Sequence, residues 1–301
     1  MLRTVGRRRW LSSSAPVPLA YHELATMKDD EFATQRGRRA PLVVLHGLLG
    51  SKSNFRSVMQ RPELARNRRI VLADLRNHGD SPHAGCMSLH SLASDVSHLI
   101  ERLELNRVVL MGHSLGGRVA MVAAAQTPDL VAGLVVIDMA PVNYTQSTSS
   151  GWRYTPPPEC IRRAIASLEL ESMKSRRDVE SVLRERIPHA PTRQFVLQNL
   201  VVDESNRVRW RVNLPAIAES VNEAAEPFGW DALPSTPDSL PSLFVGGGQS
   251  DYLTEAHHPV IRSKFPTAQF AVVPDAGHWV HSERPEQFAR AVGQFLDQHD
   301  L

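Results

Sequence analysis

The hydrophobic positions of the chain fall into short apolar runs that alternate with longer amphipathic segments from Pro41 onward. The short runs are rich in valine, leucine and isoleucine and end in glycine or polar turns, which is typical of buried strands in a parallel sheet. The segment between Leu89 and Leu103 instead repeats its apolar residues at helical spacing. This alternation predicts an α/β fold, with a mostly parallel central sheet flanked by helices and joined by right-handed crossovers. The predicted strands lie at 41–47, 70–73, 108–111, 134–137, 243–248 and 269–274, and a closing helix lies at about 285–298.

The alternation stops at Pro141 and returns near residue 241. The segment between these points is polar and charged, contains three of the five tryptophans and includes helix-like stretches such as RDVESVLRERI. We therefore predict an α/β core in two parts, at 23–140 and 241–301, with a largely helical cap inserted at 141–240.

The first 22 residues differ from the rest in charge. They contain four arginines and no acidic residue before Glu23, and the arginines interrupt any continuous apolar core. This composition is typical of a mitochondrial transit peptide, with a disordered basic tail as the alternative, and it predicts a mitochondrial protein, in the matrix. The full chain has 34 basic and 32 acidic residues, and without these four arginines 30 basic residues face 32 acidic ones. The basic balance thus belongs to the leader and gives no reason to expect nucleic-acid binding.

The remaining composition narrows the class of protein. Two cysteines among 301 residues do not make a disulfide framework, and neither they nor the histidines have the spacing of a zinc site. No apolar run approaches the roughly 20 residues of a membrane span. The triple glycine at 246–248 lacks the residues of a phosphate-binding loop, so we predict a turn there and neither a cofactor nor a metal.

Ser114 lies where the strand VVLM gives way to a helix rich in alanine and valine, and Gly112, Gly116 and Gly117 surround it. A sharp strand-to-helix turn strains the residue at its apex and needs small neighbours. One interpretation is a helix-capping serine, and the other is an exposed nucleophile.

Four polar features follow predicted strands, and the carboxyl ends of parallel strands are where such sheets place their function. They are the HGLLG turn, Ser114, Asp138 and His278. A serine hydroxyl needs a neutral imidazole to take its proton, and the imidazole needs a carboxylate to fix its tautomer. Backbone amides must stabilise the oxyanion, and we expect them at Leu48 and Leu115.

The stretches HGLLGSKSNF, DLRNHGDSPH, GHSLGG and AGHWVHSERP together resemble the α/β-hydrolase family from Pro41 to the C-terminus, and within it a mitochondrial branch with bacterial esterase relatives. The resemblance implies a cofactor-free serine esterase or lipase with a small-molecule acyl ester or thioester substrate, most simply an acylglycerol. It also implies Ser114 as nucleophile and His278 as base, in preference to His281. The acid is Asp138 or Asp251, because the usual slot after the fifth strand falls on Ser250; relatives in this branch favour Asp138.

Two further expectations complete this hypothesis. His46 and His113 are expected to brace loops. Asp74, Arg76 and Asp80 are expected to form an ion-paired loop behind the HGLLG turn, which we call the oxyanion turn because it is expected to supply the Leu48 amide.

The rival functions are a mitochondrial interaction protein that retains the fold as a scaffold, and a carbon–carbon bond hydrolase with the same serine chemistry. Protein partners in mitochondria are compatible with either. Epoxide hydrolases carry aspartate at the nucleophile position, so Ser114 argues against that activity.

Overall fold

The computed structural model describes residues 15–24, 39–144, 165, 168–205, 207–222 and 228–301. The strands within these residues are β1 Tyr21–Leu24, β2 Leu42–Leu45, β3 Ile70–Ala73, β4 Val108–His113, β5 Val131–Ile137, β6 Leu200–Val202, β7 Val208–Trp210, β8 Ser242–Gly247 and β9 Ala268–Val273. Seven of them form the central sheet, in the order β1-β3-β2-β4-β5-β8-β9, and among these only β1 runs antiparallel to its neighbour. Strands β6 and β7 form a separate hairpin. The predicted mostly parallel sheet is confirmed.

Strands β2, β3 and β4 are buried along their whole length, because helices cover both faces of the sheet. Two hydrophobic clusters lie on the two sides of the sheet, and alternate residues of each strand enter one or the other. The helices of the described residues are α1 Pro62–Ala65, α2 Leu89–Arg102, α3 Leu115–Gln126, α4 Arg176–Arg186, α5 Ala190–Leu197, α6 Leu214–Asn222, α7 His258–Lys264, α8 Val280–Glu283 and α9 Pro285–Gln298.

Helix α2 shows how the amphipathic pattern is used. Ser88 caps the helix by accepting a hydrogen bond from the Ser91 amide, and Leu92, Val96 and Leu99 are buried on one face. None of the helices within the described ranges has the length and apolar character needed to cross a membrane.

The N-terminal segment from Ala15 to Leu24 belongs to the folded core. Val17 and Leu19 are buried, and β1 pairs with β3 along the edge of the sheet. The Val17 amide donates to Asp95 Oδ1 at 2.7 Å, and the same carboxylate pairs with the buried Arg76 guanidinium at 2.5 Å. The core thus begins upstream of residue 22, where composition alone placed the end of a leader, because a short segment with few charges completes the sheet edge. Residues 1–14 of that predicted leader lie outside the described residues.

The inserted segment, which we define as residues 141–240, contributes α4, α5 and α6 together with the β6–β7 hairpin. The hairpin departs from the expectation of a largely helical insertion: Leu200–Val202 and Val208–Trp210 are short runs joined by a polar turn. Trp152, Cys160 and the three prolines at 156–158 lie outside the described residues.

Candidate active site

Ser114 lies between β4 and α3 with a φ of 52° and a ψ of −115°, and residues other than glycine rarely adopt such a positive φ. Its amide donates to the carbonyl of Ile137 at 3.1 Å, which ties the turn to the end of the neighbouring strand. A Cβ at Gly112 would collide with the backbone of Gly116. The glycines are therefore required for helix α3 to leave the strand this sharply.

Asp138 directly follows β5, on the strand beside β4. Its carboxylate is fully buried and receives several donors: the Gly247 amide at 3.1 Å on Oδ1, and His278 Nδ1 at 2.6 Å and the Ser250 hydroxyl on Oδ2. The structure thus brings together Asp138 and His278, which are 140 residues apart in the chain. Ser114 is tied to the same end of the sheet, because its amide donates to the carbonyl of Ile137, the residue directly before Asp138.

Burial acts on the pKa values of both members of this pair. It lowers the pKa of His278, so the ring is neutral and able to accept a proton at neutral pH. It raises the pKa of Asp138, whereas the hydrogen bonds donated by Ser250 and Gly247 lower that pKa by stabilising the carboxylate.

Two further contacts fix His278, one to its ring and one to its backbone carbonyl. The Tyr252 ring stacks on it with centroids 4.0 Å apart, and His113 Nε2 donates to the His278 carbonyl at 2.9 Å. His281, the rival base, instead stacks against Phe55 at 4.2 Å. The structure therefore places His278, and not His281, on the carboxylate, and it places His113 as a brace of the His278 backbone.

The HGLLG turn lies against the serine. It spans residues 46–50 and is closed by the Gly50 amide donating to the Gly47 carbonyl at 2.9 Å. A Cβ built on Gly47 would come within 2.8 Å of His113 Nδ1 and 3.3 Å of Ser114 Cβ, so a side chain there would displace His113 and press on the serine. Leu48 and Leu115 are half-buried, and within the described part of the chain neither amide has a hydrogen-bond acceptor.

The loop that contains Asp74, Arg76 and Asp80 is ion-paired, but its charged residues pair with partners outside the loop. Lys52 Nζ contacts Asp74 at 2.5 Å and Asp80 at 2.6 Å. Arg76 turns away from both and pairs with Asp95 on helix α2. The loop thus anchors the residues after the oxyanion turn to the core, while Arg76 serves the N-terminal segment.

Ser250 is the functional residue that sequence reasoning missed. The sequence located it in the usual acid slot but gave it no role, because a serine there has no charge to offer His278. In the structure its hydroxyl donates to the oxygen of Asp138 that faces His278. Asp251, the alternative acid, is half-buried next to it and acts on Asp138 as a like charge that raises the pKa.

Comparison with known proteins places the whole chain in one group. A model described as "Alpha/beta hydrolase family" matches residues 42–291. The chain is 38% identical to the sn-1-specific diacylglycerol lipase ABHD11 of Mus musculus over 287 residues, which covers 93% of this chain and 86% of that protein. It is 30% identical to Esterase YbfF of Escherichia coli (strain K12), covering 88% of this chain and 96% of the relative. Among solved structures, a marine microorganism esterase matches with a TM-score of 0.78 and 32% identity over 93% of this chain and 100% of that one.

Proposed function

Since the chain belongs to the alpha/beta hydrolase family and is a carboxylic ester hydrolase, we propose that it is a serine hydrolase with Ser114 as nucleophile, His278 as base and Asp138 as acid. The observation that carries this proposal is the 2.6 Å contact between His278 Nδ1 and Asp138 Oδ2, at the sheet edge where the strained Ser114 also lies. An imidazole oriented by a buried carboxylate, at the same sheet edge as a half-buried serine on a strained turn, is the arrangement that acyl transfer requires.

The reaction runs in two halves. Ser114 Oγ attacks the substrate carbonyl carbon while its proton passes to His278 Nε2, and the carbonyl π electrons move to the oxygen to give a tetrahedral oxyanion. The oxyanion collapses, the bond to the alcohol or thiol breaks, and His278 returns the proton to that leaving group. A water molecule then attacks the acyl carbon while His278 takes its proton, which gives a second tetrahedral oxyanion. This oxyanion collapses, the bond between the acyl carbon and Ser114 Oγ breaks, His278 returns the proton to Oγ, and the carboxylic acid leaves.

The amides of Leu48 and Leu115 stabilise the oxyanion in both halves. Each is half-buried and has no acceptor within the described residues, as is needed for donors kept ready for a charge that appears only during the reaction. Such preorganised donors cost no reorganisation when the charge develops.

The substrate class is an acyl ester or thioester with an apolar acyl chain, and an acylglycerol is the preferred candidate. Two observations support it: the mouse relative is named for diacylglycerol, and aromatic side chains surround the base. Phe195 of the inserted segment packs against Trp279 with centroids 5.7 Å apart, and the Trp279 ring lies 5.6 Å from that of His278. An apolar wall beside the base suits an acyl chain.

The arginine-rich N-terminus supports a further part of the proposal, namely that the protein acts in mitochondria, in the matrix, after import. The two rival activities, a scaffold protein and a carbon–carbon bond hydrolase, are tested together with the ester hydrolase below.

The test is labelling with a fluorophosphonate and turnover of an ester series, for the wild type and Ser114→Ala. We expect the alanine variant to lose labelling and to lose several orders of magnitude in turnover while remaining folded. Labelling of Ser114→Ala at the wild-type rate would refute the nucleophile assignment. A wild type that labels but cleaves only carbon–carbon bonds would favour that rival, and one that neither labels nor turns over any ester would favour the scaffold.

A further inference from the structure

The oxyanion turn contains a strained residue that needs outside support. Leu49 has a φ of 59°, in the left-handed region that residues other than glycine rarely adopt. The turn's internal hydrogen bond, from the Gly50 amide to the Gly47 carbonyl, holds the N–H of the peptide group that follows Leu49 but makes no contact with the Leu49 carbonyl oxygen. Strained backbone at a functional site persists only where the surroundings hold it in place.

The core supplies part of that support through two histidines. His46 Nδ1 donates to the Gly47 carbonyl at 2.8 Å, and because the peptide is planar this also sets the direction of the Leu48 amide. His78 Nε2 accepts a hydrogen bond from the Leu49 amide at 3.1 Å. The amide side of Leu49 is therefore held by the core, but its carbonyl side is not.

The carbonyl of Leu49 is held from the inserted segment. Asn199, between α5 and β6, donates from Nδ2 to this oxygen at 2.6 Å, across 150 residues of sequence. Both residues are buried. The backbone of Asn199 is itself fixed, because its N–H donates to the Val196 carbonyl at 3.1 Å and its backbone carbonyl accepts from the Arg211 amide at 2.7 Å. It is thus a rigid donor at the junction between helix and hairpin.

We propose that Asn199 is a positioning residue for the oxyanion hole, so that the inserted segment completes the catalytic machinery as well as covering it. The proposal rests on the proposed function, since it concerns the Leu48 amide of that reaction. Asn199 holds the carbonyl of the peptide that follows Leu49 while the Gly50 bond holds its N–H, so the left-handed conformation that shapes the turn around the Leu48 amide is maintained. Without Asn199 this peptide keeps only the Gly50 bond within the turn, so it tilts more easily, the strained conformation is held less well, and the Leu48 donor loses alignment.

The chain offers a closely matched control. Asn213 is also in the inserted segment, is as buried as Asn199 at 4% exposure, and also donates to the core from Nδ2, at 2.9 Å. Its acceptors are the side chain of Asn77 and, at 3.4 Å, the carbonyl of Ala84, both in the loop after β3 and outside the oxyanion turn. Replacing either asparagine by leucine, which has nearly the same shape, removes buried side-chain hydrogen bonds between inserted segment and core, one at Asn199 and two at Asn213.

The experiment compares Asn199→Leu and Asn213→Leu with the wild type, with Asn199→Ala as a second variant in case leucine is not accommodated. It measures kcat and KM for one ester, the melting temperature, and inhibition by two compounds. A trifluoromethyl ketone forms a hemiketal oxyanion with Ser114 and so reports on the hole, whereas the product alcohol, which has no acyl oxygen, does not. Losing one oxyanion donor outright costs about 10²- to 10³-fold in kcat, so a misaligned donor is expected to cost about 10- to 100-fold.

We expect Asn199→Leu to lower kcat by that factor with KM nearly unchanged, and to weaken inhibition by the ketone in parallel without affecting inhibition by the product alcohol. Asn213→Leu is expected to lose similar thermal stability but to keep kcat within about twofold, since no transition-state contact is touched. An unchanged kcat in Asn199→Leu, or equal kcat losses that follow the melting temperatures of both variants, would overturn the inference. Ser114→Ala separates the two levels: if that variant is inactive while Asn199→Leu keeps the wild-type kcat, only this inference fails, and if Ser114→Ala is active, the proposed function fails.

Discussion

Replacing Asp138 by asparagine is the sharpest test of the triad, because the structure dictates how the amide must sit. The Gly247 amide donates to Oδ1, so the single oxygen of an asparagine is needed at that position. Its NH₂ group then takes the place of Oδ2 and faces Nδ1 of His278, 2.6 Å away. Two donors in contact force the ring into the other tautomer, in which Nε2 carries the proton and cannot accept one from Ser114.

The expected loss can be worked out from the charge alone. At about 4 Å between charge centres and an effective dielectric constant of about 20, a carboxylate stabilises an imidazolium by about 4 kcal/mol. That energy corresponds to about 10³-fold in rate. With the change of tautomer included, we expect Asp138→Asn to lower kcat by about 10²- to 10⁴-fold while KM changes little, since the interaction is made mainly in the transition state.

The assay is steady-state hydrolysis of one ester by Asp138→Asn and Asp251→Asn, both checked for folding by circular dichroism and thermal melting. Asp251 is the matched control, because it directly precedes Tyr252, whose ring stacks on His278, while the contact of His278 Nδ1 is made with Asp138. We expect Asp251→Asn to lose less than about tenfold, because it leaves the Asp138–His278 contact in place and removes a like charge near Asp138. The opposite ranking would move the acid to Asp251, and small losses in both variants would refute the charge argument.

Three other predictions follow from buried groups. Ser250→Ala removes a donor that lowers the pKa of Asp138, so that pKa rises and the acid limb of the kcat/KM profile moves to higher pH; an unmoved limb in a pH series would contradict this. Burial lowers the pKa of His281 in the folded state, so the unfolded chain binds the extra proton and stability falls as pH drops below about 6.5; His281→Phe is expected to reduce that slope by up to about 1.4 kcal/mol per pH unit, and an equal slope in urea unfolding would refute it. Import is expected to leave a mature chain that begins at or before Ala15, as mass spectrometry would show, because later cleavage removes buried core residues; a stable, active chain beginning after residue 22 would contradict it.

Hydrophobic periodicity predicted six of the seven strands that the described residues place in the central sheet, and the helices at Leu89–Arg102 and Pro285–Gln298. The runs at 70–73 and 285–298 coincide with β3 and α9, and the others agree within a few residues at each end. This works because each strand of a parallel sheet is buried on both faces and each covering helix on one, so burial leaves its period in the local sequence. The strained Ser114 turn was equally readable, since Gly112 and Gly116 are local requirements of its geometry.

Contacts between distant parts of the chain carried no such local signal. Asp138 and Asp251 were both candidates by sequence, and only the approach of His278 across 140 residues distinguishes them geometrically. The place of Ala15–Leu24 at the sheet edge depends on pairing with β3, which the segment's own composition does not encode. The support of Leu49 by Asn199 spans 150 residues and uses one amide group. A hydrogen bond of this kind leaves no periodicity in the sequence, because it depends on where two separately folded segments meet, and only the tertiary structure decides that.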